Sequence, residues 1–145
     1  MTVSDYVVLD TNVFSVLRTV EVTKALRKLP QERDYLEPLI GKEFAISFQT
    51  ATEILQGAYA AQCGEARLGA LHRIIDSTLV IPANEKVIEA AAKLYAEARA
   101  AGHALQDKAH TADRWIAASA FAYDLPLVST DKIFVDAPGL KLLTV

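Results

Sequence analysis

The sequence Tyr-Val-Val-Leu-Asp-Thr-Asn, residues 6–12, decides the fold of this chain. Its first four residues form a continuous apolar run, which is typical of a strand covered on both faces in a parallel sheet. Asp10, Thr11 and Asn12 end the run, and small polar residues favour turns and helix starts. Because apolar spacing resumes at Val13, Asp10 is predicted at the junction between a buried strand and a helix. In open α/β sheets this carboxyl end of the strands is where ligands bind.

The rest of the chain alternates between strand and helix patterns. Further strands are predicted at residues 44–48, 78–81 and 127–129, and residues 141–145 fit a short edge strand. Helices are predicted at residues 13–18, 22–29, 31–40, 50–63, 65–76, 84–102 and 112–123. This alternation predicts one α/β domain over residues 1–145, a three-layer sandwich with a central, mainly parallel sheet of four or five strands.

Composition limits the class of protein. A chain of 145 residues buries roughly two-thirds of its unfolded surface in a single domain. Its one cysteine, Cys63, excludes an intramolecular disulfide, and no apolar run approaches the ~18 residues of a membrane span. We therefore expect a soluble, cytoplasmic protein. The net charge of −3 does not favour a nucleic-acid binder, since that class usually carries a basic surplus.

Acidic residues fall where strands end or helices begin. Asp10 follows the first strand and Asp131 follows the fourth. Glu53 is predicted in the first turn of the helix after the second strand, and Asp113 in the first turn of the nearly all-apolar helix 112–123. In a parallel sheet these ends share one edge, so the four carboxylates are predicted to converge. Asp136 is a weaker candidate from the loop beyond.

Each acid taken alone also has a structural explanation. Thr50 and Glu53 match a capping box, and Asp113 and Asp131 match first-turn acids favoured by the helix dipole. Several like charges at one edge cost stability unless a cation neutralises them, which favours a joint role. Oxygen ligands without His or Cys suit Mg²⁺ or Mn²⁺, the ions of phosphoryl-transfer sites. Such ions activate a water and stabilise a leaving oxygen.

Four segments carry a resemblance to a known family. They are Val-Val-Leu-Asp-Thr-Asn (7–12), Ser-Phe-Gln-Thr-Ala-Thr-Glu-Ile-Leu-Gln-Gly-Ala (47–58), Ala-Asp-Arg-Trp-Ile-Ala-Ala-Ser-Ala (112–120) and Leu-Pro-Leu-Val-Ser-Thr-Asp (125–131). In this order and spacing they resemble the acidic motifs of the PIN-domain family and, more narrowly, of the VapC toxins of bacterial toxin–antitoxin pairs. The resemblance implies an endoribonuclease that depends on Mg²⁺ or Mn²⁺, has RNA as substrate and a cognate antitoxin protein as partner, and forms a homodimer.

The resemblance also implies roles for individual residues. The catalytic acids would be Asp10, Glu53, Asp113 and Asp131, and the metal ligands would be Asp10, Asp113 and Asp131. The resemblance gives Asn12 or Thr11 a role as polar support, for which helix capping is an equal explanation of Asn12. From their positions in the chain, Ser129, Thr130 and Asp136 are further supporting candidates, and turn formation is the favoured alternative for Ser129 and Thr130. The last motif is compact here and the next acid is Asp136, so Asp131 and Asp136 both stay open as the final ligand.

Basic residues next to the acidic motifs are candidates for RNA phosphate contacts. They are Lys108, Arg114 and Lys132, and ordinary surface charge is the alternative for each. The helical region from Val13 to Ile40 is predicted to offer apolar residues to a helical peptide of the antitoxin.

Two other functions stay open. A phosphatase of the haloacid-dehalogenase type also begins with a strand ending in Asp, but it needs a second Asp at position 12, where this chain has Asn. A catalytically silent PIN-like module that only binds RNA or protein is the other.

Overall fold

A parallel sheet of five strands lies at the centre of the computed structural model, which describes residues 5–23, 39 and 41–144. The strands are β1 (Tyr6–Leu9), β2 (Glu43–Ser47), β3 (Leu79–Ile81), β4 (Leu127–Ser129) and β5 (Leu142–Thr144). Their order is β3-β2-β1-β4-β5, and every neighbouring pair is parallel. The predicted central parallel sheet is confirmed, with the 6–9 run in its middle and residues 142–144 as an edge strand.

Helices cover both faces of the sheet. They are α1 (Thr11–Thr23), α2 (Phe48–Ala60), α3 (Glu65–Asp76), α4 (Glu85–Ala101) and α5 (Thr111–Ala122), with short 3₁₀ turns at Ala104–Gln106, Lys108–His110 and Lys132–Phe134. No helix within the described ranges is long and apolar enough to cross a membrane.

Two apolar cores follow from the alternation of side chains along β1. Val8 points into a core with α4 and α5, which contribute Leu94 and Ile116. Val7 and Leu9 point into the opposite core, which α1 and α2 complete. Residues 116–120 of α5 are all buried, which agrees with the nearly all-apolar composition of this helix.

Several predicted boundaries differ from the structure. α1 is one helix that continues through Val22, where the sequence suggested two helices. The remainder of the predicted helices 22–29 and 31–40 lies outside the described residues, apart from the buried Leu39. α2 begins at Phe48, two residues before the predicted start, because the hydroxyl of Ser47 accepts the N–H of Gln49 and caps the helix there.

Three apolar residues of α1 are not available to a partner. Val13, Phe14 and Leu17 are all buried in the core beneath the helix. The prediction that residues 13–40 offer uncovered apolar side chains is therefore wrong for these three positions, because the sheet face formed by Val7, Leu9 and neighbouring strands already covers them. Most of the rest of that region lies outside the described residues.

Candidate functional site

Asp10 is a buried carboxylate at the end of β1, with 5% of its surface exposed. Its Oδ1 accepts the N–H of Thr11 at 2.8 Å, and its Oδ2 accepts the hydroxyl of Ser129 at 2.7 Å. Burial raises the pKa of Asp10 above its ordinary 3.8, and these two hydrogen bonds oppose that rise. The charges of Asp113 and Asp131 raise the pKa of Asp10 further, so the structure brings these two predicted acids within electrostatic reach of Asp10.

Ser129 connects two of these acids. It lies fully buried at the end of β4, next to β1 in the sheet. Its hydroxyl hydrogen goes to Asp10, and its oxygen accepts the N–H of Asp131 at 2.9 Å. The Asp131 carboxylate is exposed and accepts the N–H of Ile133 at 3.0 Å, which caps the following 3₁₀ turn. One hydroxyl thus fixes the backbone at Asp131 relative to the carboxylate of Asp10.

Asp113 lies in the first turn of α5, as predicted. Its Oδ2 is 3.0 Å from Nδ1 of His110, and the two side chains are 29% and 35% exposed. His110 is the N-cap residue of the helix, yet its side chain makes no cap hydrogen bond. The Asp113 carboxylate is therefore held by an imidazole rather than by the backbone of its own helix.

Glu53 lies elsewhere on α2 than the sequence suggested. Because α2 begins at Phe48, Glu53 falls in the second turn and not in the first. The capping-box interpretation is wrong as well, since Thr50 is buried inside the helix and its hydroxyl pairs with that of Thr11 at 3.0 Å. Glu53 is partly exposed, and its Oε2 accepts the side-chain N–H of Gln49 at 3.0 Å.

A buried hydroxyl relay joins α2 to α5, and sequence reasoning missed it. The N–H of Gln49 donates to Ser47, whose hydroxyl lies 2.8 Å from that of Ser119. Ser119 donates to the carbonyl of Trp115 at 2.9 Å, so the hydrogen between the two serines belongs to Ser47. The signal was available: a serine within the apolar run 116–120 must find a partner when buried.

The predicted basic and supporting residues occupy different settings. Lys108 and Lys132 are exposed, and each lies in a 3₁₀ turn. Arg114 instead donates to the carbonyls of Leu105 and Asp107, and its guanidinium lies 5.2 Å from the centre of the Tyr95 ring. The remaining supporting residues are exposed: Asn12 in the first turn of α1, Thr130 after β4, and Asp136 at a backbone φ of 60°. Phosphate contact by the three basic residues stays a prediction.

The segment between α4 and α5 is held close to the acids by side chains. His103 accepts the N–H of Leu105 at Nδ1, so its Nε2 carries the hydrogen that is donated to the carbonyl of Val135 at 2.8 Å. That contact joins the segment to the loop that follows Asp131. Together with the bonds from Arg114, it holds this segment, which forms two 3₁₀ turns.

The donor set at this edge fits a hydrated divalent cation. Asp10 is a buried acid whose pKa is raised by burial and by two acidic neighbours, and a cation would relieve that cost. Across the described parts of the chain, no group of three or more His, Cys, Asp and Glu side chains is gathered closely enough to enclose a metal ion. Mg²⁺ typically binds through one or two carboxylates and keeps several waters, which suits this arrangement.

The protein is an all-parallel, three-layer α/β domain with acids at the carboxyl ends of β1 and β4. Comparison with family models identifies the family to which it belongs. The PIN domain model matches residues 7–140. The chain belongs to the PIN domain family.

Solved structures show the same fold. A chain of the DNA-bound VapBC complex from Salmonella typhimurium is 20% identical with a TM-score of 0.69, covering 97% of this chain and 98% of that one. A chain of VapBC2 from Rickettsia felis, bound to a promoter DNA fragment, is 22% identical with a TM-score of 0.68, covering 96% and 98%. A chain of the toxin–antitoxin system VapBC-5 from Mycobacterium tuberculosis is 23% identical with a TM-score of 0.67, covering 97% and 99%. No curated protein sequence gives a significant match.

Proposed function

We propose that this protein is a metal-dependent endoribonuclease that hydrolyses RNA phosphodiester bonds. The observation that carries the proposal is Asp10, a buried carboxylate in a PIN domain whose pKa is raised by burial and by the charges of Asp113 and Asp131. Such clustered, perturbed acids are typical of active sites that hold a cation.

The residues at the sheet edge have distinct roles in this proposal. Asp10 would hold Mg²⁺ or Mn²⁺ together with Asp113 or Asp131. When bound, the ion supplies an activated water and charge stabilisation at the leaving oxygen. Ser129 orients Asp10 through the hydroxyl bond to Oδ2 and fixes the backbone at Asp131.

Other residues flank this centre. Glu53 on α2 accepts a hydrogen bond from Gln49 and is the fourth catalytic acid of this proposal. Lys108 and Lys132 are exposed, and in this proposal they contact RNA phosphates and offset locally the net charge of −3. Arg114 is bonded to two backbone carbonyls, so we assign phosphate contact to the two lysines first.

The deciding experiment incubates the pure protein with total RNA in Mg²⁺ or Mn²⁺, beside an EDTA control. Asp10→Asn is expected to abolish cleavage, because the variant keeps the volume and an acceptor oxygen but loses the charge that binds the ion. Asp124→Asn is the matched control, since Asp124 pairs with Lys141 before β4 begins and lies outside the acidic edge. If Asp10 served only as a helix cap, Asn would replace it without loss and cleavage would survive.

The same incubation, run in parallel with an aryl phosphate as substrate, separates the other functions. A catalytically silent module would bind Mn²⁺ and RNA without cutting the RNA. A phosphatase would turn over an aryl phosphate and leave RNA intact, although Asn12 stands where that mechanism needs an acid.

We further propose that the protein is the toxin of a cytoplasmic toxin–antitoxin pair and forms a homodimer. The support is the likeness in fold to chains of VapBC complexes at 20–23% identity. Co-expression with the neighbouring reading frame should yield a copurifying complex, and light scattering should give the mass of two chains for the free protein. Expression alone without harm to the host would contradict the toxin role.

A further inference from the structure

The contact between His110 and Asp113 has no role in the function proposed so far. His110 occupies the N-cap position of α5 with a backbone φ of −107°, and its side chain does not cap the helix. Nδ1 of the imidazole lies instead 3.0 Å from Oδ2 of Asp113. The carboxylate oxygen is the acceptor of this bond, so Nδ1 of His110 carries the hydrogen.

The contact differs from an ordinary pair on a helix surface. An acid at the third position of a helix commonly turns back to the N–H of the N-cap residue, but here the N–H of His110 donates to the carbonyl of Asp107. Both side chains are about two-thirds covered, so their rotamers are restricted by packing as well as by the bond. Asp113 is also one of the two acids whose charge reaches Asp10, so its orientation affects the site directly.

The backbone that carries His110 is itself firmly placed. The N–H of His110 donates to the carbonyl of Asp107 at 3.0 Å, and that same carbonyl receives a long bond of 3.4 Å from Arg114. His103 ties the beginning of the segment to Val135 at 2.8 Å. These hydrogen bonds fix the backbone from which the imidazole of His110 contacts Asp113.

We propose that His110 is a positioning residue that holds the carboxylate of Asp113 in the orientation used for metal binding. The proposal rests on the metal-dependent function given above. Carboxylates that ligate metals are usually held by hydrogen bonds from residues behind them, and loss of such a partner typically costs 10–100-fold in metal affinity or activity. With Oδ2 held by His110, Oδ1 of Asp113 remains for the ion.

Two substitutions at His110 test the bond itself. The side-chain amide of Asn lies close to the position of Nδ1, so His110→Asn keeps a donor for Asp113, whereas His110→Ala removes it. We expect the Ala variant to lose roughly 10–100-fold in kcat and in Mn²⁺ affinity, and the Asn variant to recover most of both. His72→Ala on α3 is the matched control, because His72 is exposed and distant in sequence from every acid of the site.

A third variant asks whether His110 acts through Asp113. In an Asp113→Asn background, the further change His110→Ala should leave Mn²⁺ affinity unchanged, because the group that His110 positions is already altered. Mn²⁺ affinity is read from thermal shifts, and long-range ¹H–¹⁵N NMR spectra of the metal-free protein report the hydrogen on Nδ1 of His110. The Nδ1 signal of His110 in these spectra should change in the Asp113→Asn variant.

Three results would overturn the proposal. The first is wild-type cleavage and Mn²⁺ affinity in His110→Ala, and the second is equal loss of cleavage in the Ala and Asn variants with Mn²⁺ affinity intact. The third is a metal-free NMR spectrum without the hydrogen on Nδ1. If the wild-type protein cuts no RNA, the proposed function fails, while Mn²⁺ affinity and the NMR spectra still decide the role of His110.

Discussion

Burial of Asp10 disfavours its charged form in the folded protein, and its two hydrogen bonds only partly offset this effect. Its position after the first strand was predictable, because a short apolar run followed by Asp-Thr-Asn is typical of a buried strand that leads into a helix. The bond from Ser129 was not predictable, because it depends on β4 pairing with β1 across 119 positions of sequence. Sequence alone also misplaced Glu53, since either Ser47 or Thr50 can cap a helix.

At this scale we predict an unusual dependence of stability on pH. The pKa of Asp10 is raised in the folded state, so between 3.8 and that raised value the folded protein holds a proton that the unfolded chain has released. The stabilising contribution is complete below 3.8 and is lost as pH rises through the folded pKa. In EDTA, Asp10→Asn should therefore gain in Tm relative to wild type as pH rises from acidic to neutral.

The control for this prediction is Asp124→Asn, which removes an exposed carboxylate paired with Lys141. Thermal melts of both variants over the same pH series separate the effect of burial from the effect of net charge. A Tm difference between Asp10→Asn and wild type that stays constant across the series would contradict the raised pKa.

At the scale of elements, helix ends marked by a capping residue or a glycine were predictable from the sequence, whereas contacts made by tertiary packing were not. The side chain of Asn84 caps α4 by accepting the N–H of Val87 at 3.0 Å, and Gly102 ends that helix with a φ of 71°. Both follow from local propensity. The close approach of Gly139 to Phe121 of α5 follows from tertiary packing, and the local sequence around Gly139 does not predict it.

We predict that Gly139→Ala destabilises the protein more than Gly102→Ala. Both glycines have positive φ, 72° and 71°, so either substitution costs about 1–2 kcal/mol of backbone strain. A Cβ at residue 139 would also clash with Cε2 of Phe121, while one at residue 102 would meet nothing within 4 Å. Displacing the ring should add about 1–3 kcal/mol, measured by urea unfolding. Equal losses for the two variants would show that the Phe121 ring moves aside freely.

For the whole molecule, the parallel sheet explains why distant acids meet. Asp10, Asp113 and Asp131 are spread over most of the chain, yet topology alone predicted their common edge. Topology does not set side-chain distances, which depend on the register of β1 with β4 and on the start of α5. The spacing between carboxylates, and hence the number that share one ion, lies beyond what sequence periodicity can give.

The final prediction concerns the stability of the whole domain with and without a metal ion. An ion bound only by the folded site stabilises it by about 2.7 kcal/mol when its concentration is 100 times Kd. For a domain of this size that corresponds to a rise in Tm of roughly 5–11 °C. Mn²⁺ should produce this shift at neutral pH in wild type and in Asp124→Asn, but only weakly in Asp10→Asn, because the buried carboxylate supplies the charge that the ion neutralises. An unchanged wild-type melting curve in excess Mn²⁺ would remove the metal from the proposed mechanism. An equal shift in Asp10→Asn would place the ion elsewhere in the molecule.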